Sequence, residues 1–129
     1  MTQSRLYASA AGAVLVVVGM VGFFYNGHFG SGTDVFGGDT SVKVVGLLAV
    51  NGWVNVVHMV TGAIALFGAG YAARGSALGL GALYTVLAVW GFIVGGGEEI
   101  ASIIPVDAGE NVLHLALGVL GLGAGLWRA

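Results

Sequence analysis

Cysteine is absent from this 129-residue chain, proline occurs once, and charged residues make up only 8% of it. Without cysteine there are no disulfides, no thiolate metal sites and no thiol nucleophiles, and the redox compartment goes unread. So little charge sets the chain far from the roughly 25% charged composition of soluble domains. Four basic residues are too few for a nucleic-acid surface, so no nucleic-acid partner is expected. Glycine is plentiful at 25 residues, yet none falls in a GxxxxGK[ST] phosphate loop, and no nucleophile motif stands out.

What is present is apolar: 57% of residues are hydrophobic and the mean hydropathy is +0.97. A membrane-spanning helix needs about 20 mostly apolar residues, and four such stretches are expected near 5–25, 43–71, 76–95 and 106–127. They use nearly the whole chain, so one compact membrane domain over 1–129 is the natural count and any chemistry belongs in the helices or the two longer loops. Arg5 ahead of an apolar run has the order of a signal peptide, but no small-x-small cleavage site follows and the run is long enough to span; we read it as helix one.

The same polar stripe interrupts two of these helices. Asn51, Asn55, His58 and Gly62 recur as Asp107, Asn111, His114 and Gly118, each pair separated by 56 positions. Steps of three and four residues put each set on one helical face. Amide and ionisable groups at membrane depth are costly, so a duplicated stripe of them is the leading functional feature. Helices one and three correspond at an offset of 69, through Arg5 and Arg74, Gly12-Ala13 and Gly81-Ala82, and Gly22-Phe23 and Gly91-Phe92. The economical account is an internal repeat, residues 5–71 and 74–127, each a helical hairpin. Each unit crosses twice, so both enter from the same side. The expected fold is therefore an all-α membrane protein of four transmembrane helices, two parallel hairpin repeats about a pseudo-twofold axis along the membrane normal.

Charge sets the expected orientation. Arg5, Arg74 and Arg128 fall on one face of a four-crossing chain, which the positive-inside rule makes cytoplasmic, with both termini there. Lys43 and all six acidic residues, Asp34, Asp39, Glu98, Glu99, Asp107 and Glu110, lie in or beside the opposite loops. The loop from Asn26 to Val42 is rich in turn-forming residues. The second, from about Gly95 to Val106, ends at Pro105, tolerated at the start of helix four, with Asp107 near that helix's N-terminus and Asn51 inside a longer helix two. His28 with the acidic loop residues lacks the spaced ligands of an EF-hand, and solvated loops are the simpler meaning. Trp53, Trp90, Trp127, Tyr7, Tyr25 and Tyr71 sit mostly near helix ends as interfacial anchors.

Gly91 with Gly95 and Gly121 with Gly125 form small-xxx-small pairs, and Gly62 and Gly118 extend the stripes; all six are expected to pack helices, inside the bundle or between copies in a homo-oligomer. For the stripe itself three readings stand. In the first, Asn51, Asn55, His58, Asp107, Asn111 and His114 pair helices, giving a non-enzymatic structural or accessory membrane protein with no cofactor. In the second, His58 and His114 are matched ligands for haem or a divalent metal. In the third, the stripe conducts protons or ions, although below the histidines the same faces carry only small residues.

Asn-x-x-His followed by a small-residue helix, preceded by Leu48-Ala49-Val50-Asn51 and repeated after Ile104-Pro105-Val106-Asp107, with Arg5-Leu6-Tyr7 and Gly22-Phe23, resembles a prokaryotic family of small four-helix integral membrane proteins known only as a domain of unknown function. The resemblance covers nearly the whole chain. It implies a four-helix membrane protein and marks Asn55, His58, Asn111 and His114 as characteristic positions, while implying no substrate or reaction. The setting expected from all of this is the cytoplasmic membrane, with the lipid bilayer and further copies or a larger membrane complex as partners.

Overall fold

The computed structural model describes residues 1–30, 36 and 41–127; Asp34, Asp39 and Arg128 lie outside the described residues. Its framework is four helices, α1 (Gln3–Tyr25), α2 (Gly52–Tyr71), α3 (Ala73–Val94) and α4 (Ala108–Leu126). All four are long and apolar enough to cross a membrane. The most extensive packing is α1 along α2 and α3 along α4, so the chain forms two helical hairpins. A single residue, Ala72, ends α2 and starts α3.

The packing surface is built from small residues. Along α1 the buried positions are Ser4, Ala8, Ala11, Gly12, Leu15, Gly19 and Gly22, recurring at steps of three and four. Large apolar side chains such as Phe24, Phe67, Ile93 and Leu120 point outward. That is the distribution expected of helices solvated by lipid tails, where close backbone approach holds the bundle together. Gly12 and Gly62 meet within the first hairpin, and Gly81 meets Gly118 and Gly121 in the second: a Cβ on Gly62 would lie 2.7 Å from the Gly12 carbonyl oxygen, and one on Gly81 3.1 Å from that of Gly118.

Helix two is shorter than its apolar run suggests. Residues 43–51 are not helical: β1 (Lys43–Val44) and β2 (Leu48–Ala49) pair antiparallel, and β3 (Glu99–Ile100) and β4 (Ile104–Pro105) do the same before α4. Pro105 therefore belongs to this second small sheet and not to the start of helix four. Asn51 lies outside helix two as its N-cap, its backbone extended like that of Asp107 before α4. The hairpins correspond at 56 positions in register and in turn. Lys43 pairs with Ala49 as Glu99 pairs with Pro105, and Val44 with Leu48 as Ile100 with Ile104. In each turn both central residues have positive φ, 44° and 74° at Val45 and Gly46, 53° and 60° at Ala101 and Ser102, as a type I′ turn requires.

Candidate functional site

The polar stripes divide into three levels below the hairpins. At the top, Asn51 and Asp107 cap α2 and α4. Asn51 Oδ1 accepts the Val54 N–H at 2.9 Å, and Asp107 Oδ1 accepts that of Glu110 at 2.7 Å. Each cap also reaches into the other half of the chain. Asn51 Nδ2 donates to the Ile103 carbonyl at 2.9 Å, and Asp107 Oδ2 pairs with Lys43 Nζ at 3.1 Å. The Leu47 carbonyl, the counterpart of Ile103, lies against Gly109 in the first turn of α4. Each β-hairpin thus sits over the first turn of the other unit's second helix.

One turn deeper, Asn55 and Asn111 act within their own units. Asn55 Nδ2 donates to the Asn26 carbonyl at 2.8 Å just past the end of α1, and its Oδ1 is packed where a side chain on Gly22 would stand. Asn111 Oδ1 is packed in the same way on Gly91 of α3. Glycine at 22 and 91 is what lets each asparagine approach its partner helix.

A further turn down the two stripes meet. His58 and His114 lie with ring centroids 6.0 Å apart, and the carboxylate of Glu110 stands with them, its Oε2 3.2 Å from His114 Nε2 and 3.7 Å from His58 Nε2. His58 and Glu110 are completely enclosed and His114 is 2% exposed. One ligating atom from each of the three residues lies within 4.8 Å of the other two. None of these contacts has the alignment of a hydrogen bond: both Glu110 oxygens, both His58 nitrogens and His114 Nδ1 lack a hydrogen-bond partner among the described residues. Tyr84 of α3 closes the group, its ring centroid 5.2 Å from that of His114 and 6.4 Å from that of His58. Its hydroxyl lies 2.8 Å from Thr61 Oγ1, which itself donates to the Val57 carbonyl at 2.7 Å, so Tyr84 is the donor.

Glu110 is the residue that sequence reasoning left among the loop acids. The signal was available: it stands four positions before His114, on the same helical face. Its carboxylate also decides how the histidine pair can be used. A haem held by both rings needs the space between them for iron and macrocycle, and a carboxylate oxygen within 3.7 Å of both Nε2 atoms stands there.

Below the cluster the faces narrow to packing contacts. Gly62 and Gly118 lie against the backbones of α1 and α3, Gly121 against Gly81 and the Tyr7 ring, and Gly125 against Leu78. Tyr7 donates to the Leu117 carbonyl at 2.6 Å, and Arg74 Nε to that of Gly125 at 3.0 Å. Gly95 does not pack a helix. It is the C-cap of α3 with φ of 93° and open space around it, a backbone position that favours glycine.

Residues 5–127 match the family model described as a domain of unknown function (DUF4383), and the chain belongs to that family. No curated protein and no solved structure matches it.

Proposed function

We propose that this chain is a small non-enzymatic protein of the cytoplasmic membrane, a structural or accessory subunit built as two parallel hairpin units about a pseudo-twofold axis along the membrane normal. The correspondences at 56 and 69 positions, carried through helices, caps, hairpin registers and the Asn–Gly contacts, support the duplication. Arginines at 5 and 74 on one end of the bundle support a cytoplasmic position for that end, and with it for both termini.

The observation that carries the structural role is the exchange of contacts at the hairpin end. Asn51 to Ile103, Lys43 to Asp107 and Leu47 over Gly109 all run from one unit to the other. Polar side chains that are costly in a bilayer are thereby spent on joining the halves. Self-association belongs to the same proposal. Gly75 and Gly79, a small-xxx-small pair on α3 with open space beside both, line a groove of about 410 Å³ between α2 and α3, and we assign to it the contact with a helix of a second copy.

The joining role is tested by Asn51→Ala combined with Lys43→Ala. A lost N-cap with its second hydrogen bond, plus a half-exposed ion pair, should together cost about 2 kcal/mol. Thermal unfolding in mild detergent reads that loss, and a double variant as stable as the parent chain would remove the proposal.

A further inference from the structure

We propose that His58, Glu110 and His114 bind one divalent first-row transition-metal ion. The inference stands on these three side chains and not on the joining role proposed above. Two imidazoles and a carboxylate are the donor set of open zinc sites and of two-histidine-one-carboxylate iron centres. All three donors are buried, and five of their nitrogen and oxygen atoms have no hydrogen-bond partner among the described residues. Buried polar atoms without partners call for an explanation, and an ion held by the Nε2 atoms and Glu110 Oε2 satisfies two of them, His58 Nε2 and Glu110 Oε2, at once.

The spacing fits. Ligands about 2.0–2.1 Å from a tetrahedral ion stand about 3.3–3.4 Å from one another. Glu110 Oε2 is 3.2 Å from one histidine Nε2 and 3.7 Å from the other, without the alignment of an N–H···O bond at either. Charge fits as well: Glu110 lies in the first turn of α4, where the helix dipole favours an anion, and a divalent ion offsets the buried carboxylate.

The site also bridges the two units, one ligand coming from α2 and two from α4. Three protein ligands leave a further coordination position open, as in zinc and iron centres that take a water or a small anion. Neither Nδ1 has a hydrogen-bond partner among the described residues. Outer-shell partners of that kind are typically worth about 10–100-fold in metal affinity.

The test uses the full chain, carrying no polyhistidine tag, purified in mild detergent, stripped with chelator and titrated with Co2+. The expected result is one Co2+ per chain with visible ligand-field absorption, displaced by Zn2+. X-ray absorption of the zinc form then reads imidazole and oxygen ligands. His58→Asn, Glu110→Gln and His114→Asn should each weaken binding at least about tenfold, while His28→Asn, at the exposed outer loop, leaves it unchanged. Failure of the parent chain to take up either ion, a bound ion without imidazole ligands, or equal affinity in the three variants would each overturn the proposal. Because the first two readouts use the unaltered chain, a variant that does not fold leaves the test intact.

Discussion

Val54 and Glu110 hold the same place in the two halves of the chain. Each is the third residue after its helix cap, each gives its backbone N–H to the cap side chain, at 2.9 Å and 2.7 Å, and each is fully buried. One is apolar and the other is a carboxylate, so the correspondence between the halves breaks at the level where the two histidines meet. The asymmetry gives a single acidic group to a pair of imidazoles.

Exchanging Glu110 for the residue of the other half separates its energetic role from its chemical one. A buried carboxylate without hydrogen bonds is costly, and replacing buried ionic groups by apolar ones is often neutral or stabilising by about 1–4 kcal/mol. In metal-free detergent Glu110→Val is therefore expected to unfold at or above the temperature of the parent chain. His58→Ala should unfold well below it, because it removes a buried ring and leaves the carboxylate with one neighbour fewer. Thermal melts of the two variants side by side check the order, and a Glu110→Val chain less stable than His58→Ala would contradict it.

The asparagine-on-glycine contacts predict a sharp contrast between glycines. A methyl group on Gly22 or Gly91 would run into the Asn55 or Asn111 carboxamide. Overpacking of this kind typically costs about 1–3 kcal/mol, and Gly22→Ala and Gly91→Ala should each show it as a lowered unfolding temperature. Gly123, inside α4, has open space where such a methyl group would stand. There Gly→Ala is expected to gain up to about 1 kcal/mol from helix propensity alone.

The four helices and their pairing into two hairpins were legible in the sequence because apolar runs of spanning length alternate with connections, and the polar stripes because their residues recur at steps of three and four. The β-hairpins were not. Their type I′ turns carry Val45-Gly46 and Ala101-Ser102 in place of the Asn-Gly or Asp-Gly pairs that mark such turns, and strands of two residues are too short to alternate. An apolar stretch through 43–51 therefore read as more of helix two, and Asn51 as an interior residue and not a cap. Glu110 carried two signals, and the i,i+4 relation to His114 was the weaker to the eye. A glutamate three residues after a capping side chain at the edge of a loop has the sequence pattern of a capping box, which drew it to the loop acids although its spacing from His114 put it on the inward face. The histidines could be paired by their spacing, but their distance from one another is a property of how the two hairpins pack.

The proposed orientation predicts which positions reagents reach. The native chain contains no cysteine, so a single introduced thiol reports its own location. Thr2→Cys, ahead of α1, should be protected from an impermeant maleimide in intact cells and labelled after lysis. Gly96→Cys, exposed between α3 and the second hairpin, should be labelled in intact cells. The reverse pattern would place both termini outside and set the positive-inside argument aside.

Self-association is predicted to use glycines other than those first singled out. Gly62, Gly91, Gly118, Gly121 and Gly125 are each occupied by a neighbour within the same chain, so none of them is open to a second copy. Gly75 and Gly79 have nothing beside them, lie one turn apart on α3, and line the groove between α2 and α3 with Ile64, Tyr71 and Leu83. Close approach of a second helix there requires small side chains at both positions. Gly79→Leu should fill the groove and shift the chain toward monomer in sedimentation or cross-linking at fixed detergent concentration, with helix content and unfolding temperature little changed because the added side chain faces lipid. Gly70→Leu, also open but on α2 and outside that groove, serves as the matched control and should leave association intact. Equal association in both variants would place the contact between copies on another face or remove it.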